Sequence, residues 1–379
     1  MHRDRAIPLT AVVLLAATAL VGCERGSSAG PGETTAGPSG CPAALTRAKA
    51  AVKRAERTDV PWNGPTSGPT AVRGKTIAYV AQTMTNPGVA GVAQGVREAA
   101  KVMGWKVRVI DGGGTPVGIQ AALSEAITLE PSGIVIGGFD PRSTARQVAQ
   151  ANAADIPLVG WHAVGSPGPS KRPELFTNIT TEVEEVAGVS ADWVIARSDG
   201  RARVVVFTDD SIPFARKKAA LIRRGLARCP GVRLLAYANI PIPDAGSRTP
   251  QEVSSLLSRF PTTWDYSIAI NDLYFADAAP ALRAAGKRGT GPPFNIGAGD
   301  GDPSAFQRVN SGQYQAATVP EPLSQQGWQV IDEFNRAFSG RAPSGYVAPV
   351  HIVTAANSGG ATSWNPPGYR RAYRKIWGE

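Results

Sequence analysis

Lys75-Thr-Ile-Ala-Tyr-Val-Ala-Gln-Thr-Met-Thr-Asn86-Pro87, followed by Gly88 to Met103 and then Gly104-Trp-Lys106-Val-Arg-Val-Ile110, is the stretch that decides the fold. Thr76 to Ala81 is a short apolar run with β-branched residues, which predicts a buried strand. Val89 to Met103 carries apolar residues at helical spacing and stops at Gly104, a favoured residue just beyond a helix end. Lys106 to Ile110 predicts a second strand. Strand, helix and strand within about 35 residues form a βαβ unit, whose strands run parallel.

The same rhythm continues outward. Val117–Leu129 predicts a helix, Gly133–Ile136 a strand, Ser143–Ala153 a helix and Pro157–Gly160 a strand. It then restarts with helix Glu182–Ala196, strand Ala202–Phe207, helix Phe214–Arg228, strand Val232–Ala236 and helix Thr249–Phe260. Strand Ser267–Ile270, helix Phe275–Ala285, strand Phe294–Gly297 and helix Pro303–Ser311 follow. Fully apolar strands alternating with helices predict α/β architecture: doubly wound parallel sheets covered on both faces. Two successive halves imply two lobes with a crevice between them. Ligands of such sheets sit beyond the carboxyl ends of the strands.

Before these halves the sequence is of another kind. His2, Arg3 and Arg5 precede an apolar run from Ile7 to Leu20, and Leu20-Val-Gly-Cys23 follows. A charged start, a short apolar core and small residues before a cleavage point predict a secretory signal over residues 1–22. Its ending resembles a bacterial lipobox, which implies a diacylglyceryl group on Cys23 and places the mature chain outside the cytoplasm, anchored to the cell membrane. Residues 23–74 read as a lipidated tether. Glu24–Gly40 is rich in Gly, Ser, Thr and Pro, a short helix is expected over Pro42–Arg57, and Thr58–Arg73 is again rich in Pro and Gly.

The 379 residues are 42% hydrophobic and 18% charged, enough for two cored lobes. The net charge of +10 would suit nucleic acid, but an extracytoplasmic address excludes it as a partner, and the basic residues are dispersed along the sequence apart from Arg370-Arg371 and Arg374-Lys375. Of the three cysteines, Cys23 takes the lipid. Cys41 and Cys229 remain in a compartment that permits a disulfide, and the sequence leaves open one bridge or two free thiols. The three histidines, His2, His162 and His351, make no metal set, and no Gly-x-Ser-x-Gly elbow supports a hydrolase. Gly112-Gly-Gly114 lacks the spacing of a dinucleotide fingerprint. No cofactor, metal or catalytic role is expected.

Over about Lys75–Ala356 the chain resembles the type I periplasmic binding proteins, in particular the ribose-binding-like branch that serves sugar ABC importers. Four pieces carry the resemblance: Thr76 to Pro87, Ala269-Ile-Asn271-Asp272, Gly297-Ala-Gly-Asp300-Gly301, and Gln315-Ala-Ala-Thr-Val-Pro-Glu321. It implies three passages between lobes, near Thr177-Asn178, Glu321-Pro322 and Ala348-Pro349. The first lobe is then 75–177 with 322–349, where Leu323–Phe338 forms a late helix. The second lobe and tail are 178–321 with 350–379, with a strand near His351–Val353. The resemblance also implies a monomer that binds a sugar or polyol and delivers it to permease subunits.

Sugars offer hydroxyls for planar polar groups and C–H faces for aromatic rings. The strand ends supply both types: Asn86, Phe139 with Asp140, Trp161 with His162, Phe214 with Arg216, Asn271 and Asp300, and Glu321 on a crossing. By resemblance, Asn86, Arg216, Asn271 and Asp300 match ligand-contacting positions. His162-Ala163 stands where the family has Asp-Arg, Gly88-Val89 where it has paired aromatics, and Glu321 where it has Gln. Asp300, Glu321 and Asp140 against one strong cation, Arg216, predict a neutral ligand or an amino sugar. A nucleoside, or a role as extracellular sensor for a membrane kinase, remain the alternatives.

Overall fold

A computed structural model describes residues 40–379. The expected signal segment, the expected lipidation at Cys23 and the expected tether before Gly40 lie outside them. The described chain begins with helix α1 (Pro42–Ala55), which starts on a proline suited to a first turn and buries Ala44, Ala48, Val52 and Ala55, one residue per turn.

The first lobe is built on β1 (Thr76–Ala81), α2 (Pro87–Val102), β2 (Lys106–Asp111), α3 (Pro116–Thr128), β3 (Gly133–Gly137), α4 (Ala145–Ala153), β4 (Leu158–Trp161), β5 (Gly168–Lys171) and β6 (Glu174–Ile179). Its sheet runs β2-β1-β3-β4-β6-β5. All pairs are parallel except the β5–β6 hairpin at the edge. That hairpin is absent from the sequence reading, because Gly168-Pro-Ser-Lys has no apolar residue to show a period. The second lobe comprises α5 (Val183–Arg197), β7 (Ala202–Thr208), α6 (Pro213–Leu226), β8 (Val232–Asn239), α7 (Ala245–Arg259), β9 (Tyr266–Ala269), α8 (Leu273–Ala284), β10 (Phe294–Gly297), α9 (Pro303–Ser311) and β11 (Ala317–Thr318). The chain then returns to the first lobe as α10 (Leu323–Phe338), to the second as β12 (Val353–Thr354), and ends in α11 (Tyr369–Trp377). The second sheet runs β12-β11-β10-β9-β7-β8, parallel except at β11–β12.

Helix α10 lies against α2 with backbones almost touching: a Cβ on Gly327 would meet the Gly95 carbonyl carbon at 2.5 Å. Only glycine permits that approach.

The two ends of the described chain depart from the expected division. The expected tether, residues 23–74, belongs to the packed body from Cys41 onward. Helix α1 joins the second-lobe core, and Cys41 is joined to Cys229 by a disulfide with 5.1 Å between Cα atoms. The following segment crosses to the first lobe, where Trp62 packs on Tyr373 and the Ala71 N–H donates to the Trp377 carbonyl at 3.0 Å. The tail, expected with the second lobe, also crosses back. Trp364 packs beside Phe306 and Val309 of α9, whereas α11 joins the first-lobe core. There Trp377 stacks on Trp328 at 5.4 Å and donates from Nε1 to Asp332 at 2.9 Å. Burying such a side chain contributes about 1.5–3 kcal/mol, which explains why the tail settles where α10 leaves apolar surface. The lobes are therefore joined by five passages, not three.

Candidate functional site

The carboxyl ends of β1, β3 and β4 face those of β7, β9 and β10 across a narrow cleft. The first-lobe wall supplies Asn86, Gly138, Trp161 and His162, and the second supplies Phe214, Lys218, Asn271 and Asp300 among apolar neighbours.

Asn86 caps α2, its Oδ1 accepting from the Gly88 N–H at 3.0 Å. The same oxygen accepts from Asn271 Nδ2 at 3.3 Å, a bond between lobes. Asn271 Oδ1 accepts from the Leu273 N–H, and its Nδ2 also donates to Asp300. Asp300 reaches the first turn of α2 because residue 88 has no side chain. A Cβ there would lie 2.4 Å from the Asp300 Cγ. Thus the position that lacks an aromatic in this sequence receives a carboxyl from the opposite lobe.

Trp161 ends β4 and His162 follows it. Their rings stack at 4.1 Å and 12°, and His162 stacks on Phe214 of the other lobe at 4.5 Å and 26°. Residue 162 has φ of +50°, an uncommon conformation for a side-chain-bearing residue. Trp161 Nε1 donates to Gln326 Oε1 at 2.7 Å, and Gln326 Nε2 donates to Glu321 Oε2 at 2.7 Å. The Thr181 hydroxyl donates to Glu321 Oε1 at 2.6 Å. His162 Nε2 stands 3.5 Å from the same oxygen, and it is buried without a hydrogen-bond partner.

The cation of the cleft is Lys218. It is 2% exposed, and its ammonium donates to the Ala298 carbonyl at 2.6 Å. Burial pushes its pKa down, while Glu321 and Asp300 push it up. Burial would raise Glu321, but the opposing contacts of His162, Lys218 and Thr181 hold it at about 2, so it is an anion. Burial pushes the His162 pKa down, while its contact with Glu321 pushes it up. Asp300 is pushed up to about 8 by burial, against Lys218 and with help from Asp272 and Glu321. Its neighbour Asp272, raised to about 7 by burial, holds the Gly301 N–H and the Thr318 hydroxyl. The cleft therefore holds a buried Lys218 in the field of Glu321 and Asp300, and in Asp300 a largely protonated carboxyl. Among the described residues no cluster of His, Cys, Asp and Glu is placed to hold a metal ion, and no helix is long and apolar enough to cross a membrane.

Of the ten residues the sequence pointed to, Asn86, Trp161, His162, Phe214, Asn271 and Asp300 line this cleft, and Glu321 lies against it through His162. Three do not line it. Arg216 is exposed, its guanidinium 3.5 Å from the Asp210 carbonyl. It sits two helical positions from both Phe214 and Lys218, hence on the opposite side of α6. Phe139 is core, packed with Ile119 and Val148. Asp140 caps a 3-10 turn and pairs with Arg142 at 2.9 Å. Lys218, Thr181 and Gln326 were missed. A signal for Lys218 existed: it falls four residues after Phe214 and four before Ile222, on the apolar stripe of its helix.

A periplasmic binding protein domain profile matches residues 77–342. The chain belongs to this family. It is 22% identical over 261 residues to the ribose import binding protein of Escherichia coli, spanning 68% of this chain and 84% of that one. Its fold matches a solute-binding protein from Agrobacterium vitis solved with allitol (TM-score 0.65, 20% identity, 80% of this chain and 99% of that one). It also matches one from Burkholderia graminis solved with D-arabinose (TM-score 0.67, 17% identity, 77% and 99%). A sugar ABC transporter protein from Yersinia enterocolitica gives a TM-score of 0.69 at 16% identity, over 82% and 98%. The fold is thus the two-lobed type I periplasmic binding fold.

Proposed function

We propose that the chain is the extracytoplasmic, Cys23-lipidated solute-binding protein of an ABC importer, and that it binds a neutral sugar or polyol between its lobes. The observation that carries the ligand class is the charge balance of the cleft. Lys218 offsets Glu321, and a protonated Asp300 both donates and accepts. An anionic ligand would have to be desolvated beside Glu321, at high cost in a low dielectric. A hydroxyl finds partners in Asn86, Asn271, Asp300 and Lys218. The edges of Trp161, His162 and Phe214 offer apolar surface to C–H groups.

The lobes touch through Asn271–Asn86 and through Asp300 at Gly88. Ligand hydroxyls take over these contacts, so ligand and closure support one another by population shift. The closed face then docks on the permease. A nucleoside fits less well, since His162 already fills the stacking position between Trp161 and Phe214. The sugars named for the relatives support the sugar reading.

A thermal-shift screen against sugars, polyols, nucleosides and sugar phosphates tests it. Ligand at about 100 times its Kd adds about 2.7 kcal/mol. Stabilisation by sugar phosphates or nucleosides but not by neutral polyols overturns the ligand class. Cys23→Ala should release the protein from the membrane fraction or block processing, and unchanged fractionation overturns the anchor.

A further inference from the structure

We propose that the α1–α5–α6 layer of the second lobe is a docking surface for anionic phospholipid, which holds the body against the membrane that anchors it. The inference rests on the proposed lipidation of Cys23. Along the sequence the basic residues look dispersed, but the fold gathers them. Helices α1 and α6 both pack on α5. Together they carry Arg47, Lys49, Lys53, Arg54, Arg216, Lys217, Lys218, Arg223 and Arg224, and no acidic residue. Only Lys218 is buried.

The acids of the layer are mostly committed. Glu184 pairs with Lys217, Asp199 with Lys49 and Asp192 with Arg228. Asp192 also lies in the field of Arg47 and Arg54, which places the α1 bases beside the end of α6. Glu56, Glu182 and Glu185 remain as counter-charges. Among the described residues Arg47, Lys53, Arg54, Arg216, Arg223 and Arg224 make no ion pair with a carboxylate. Arg223 stacks on Tyr237. A guanidinium binds a phosphodiester through paired N–H groups, and each base near an anionic bilayer contributes about 1 kcal/mol.

The position of the anchor selects the lipid as occupant. The Cys41–Cys229 disulfide pins the start of α1 to the end of α6. The 18 residues from Cys23 to Gly40 reach at most about 60 Å even when fully extended. The point where the anchor segment joins the body is thus the edge of this basic layer. Attraction is felt only within about 8–10 Å at physiological salt, so a surface attached beside the anchor benefits and a remote one does not.

Vesicle co-sedimentation of residues 24–379, which include the whole compact unit from Ser39 onward, tests the proposal without the lipid. The chain should partition onto vesicles of equal parts phosphatidylcholine and phosphatidylglycerol, not onto phosphatidylcholine alone, and should leave them as salt rises. Arg47→Glu, Lys53→Glu, Arg54→Glu and Arg224→Glu together should reduce partitioning by more than about tenfold. The same four reversals at the exposed first-lobe residues Arg97, Lys101, Lys106 and Arg108 should change it by less than about threefold. Thermal midpoints check that both variants fold. If the first set does not, the corresponding four Gln substitutions must show the same selective loss. No partitioning, equal partitioning onto both vesicles, equal loss from the two sets, or capture by an acidic permease surface instead of lipid overturns the proposal. Failure of the anchor itself is read separately, from the Cys23→Ala fractionation.

Discussion

The two walls of the cleft are made differently. The first-lobe wall is flat and preset: Trp161 and His162 stack, Trp161 is bonded to Gln326, and Asn86 is committed to its cap. The second-lobe wall carries the exchangeable polar groups, Lys218, Asn271 and Asp300, whose partners are backbone carbonyls, each other and the opposite lobe. One wall offers shape and apolar surface, the other charge balance. For the proposed sugar or polyol, the second wall would select the arrangement of hydroxyls and the first the faces that can stack.

The largest expected effect follows from removing the buried ammonium of the second wall. Lys218→Ala removes a buried side chain and its bond to the Ala298 carbonyl, and takes away one of the charges that lower Glu321, and should cost about 2–5 kcal/mol of stability in urea unfolding. A loss below about 1 kcal/mol would mean that the second wall does not depend on its cation. Next, Asp300→Ala should weaken binding of a polyol identified in the screen by about 1–3 kcal/mol, or roughly 5- to 150-fold by calorimetry. Trp161→Phe keeps the apolar face, loses the bond to Gln326 and should weaken the same binding by only about 0.5–1 kcal/mol. The reverse order would invert the assignment of the walls.

The comparison also has a pH signature. Asp300 holds its proton up to about pH 8 in the folded chain, whereas an unfolded Asp releases it near 4. Between these values the folded state binds the extra proton, so stability falls as pH rises, by up to about 1.4 kcal/mol per pH unit for this group. Asp300→Asn should flatten the stability profile between about pH 4 and 8, with Asp272, raised to about 7, keeping its own share. Glu321 acts oppositely. Held at about 2, it contributes stability above its ordinary range that is lost as pH falls toward 2. An unchanged profile in Asp300→Asn would show that Asp300 is ionised at neutral pH. The smallest expected effect is at Arg216→Ala, which should change affinity by less than about twofold, because the guanidinium points away from the cleft.

Much of this site was legible before the structure. Asn86, Trp161, Asn271 and Asp300 stand at strand ends, and the strand-end rule is a consequence of parallel topology. Phe139 and Asp140 stand at a strand end too, yet one turns into the core and the other caps the next turn. The rule gives a place on the chain, not a side-chain direction. Arg216 and Lys218 differ by two positions, which on a helix is the difference between solvent and interior.

The sequence by itself determined the α/β repeat, the two halves and the run of helices and strands, because local propensity and apolar period are properties of neighbouring residues. It also carried the chemistry of the cleft as a set of residue types. Only the tertiary structure decided which of two basic residues faces the cleft, that Asp300 fills the space left at Gly88, and that residues from Cys41 onward and the tail helix tie the lobes together. It also placed α1 and α6, basic helices far apart along the chain, both against α5. Each of these depends on contacts between residues far apart in sequence, where burial and approach distance, not local pattern, settle the outcome.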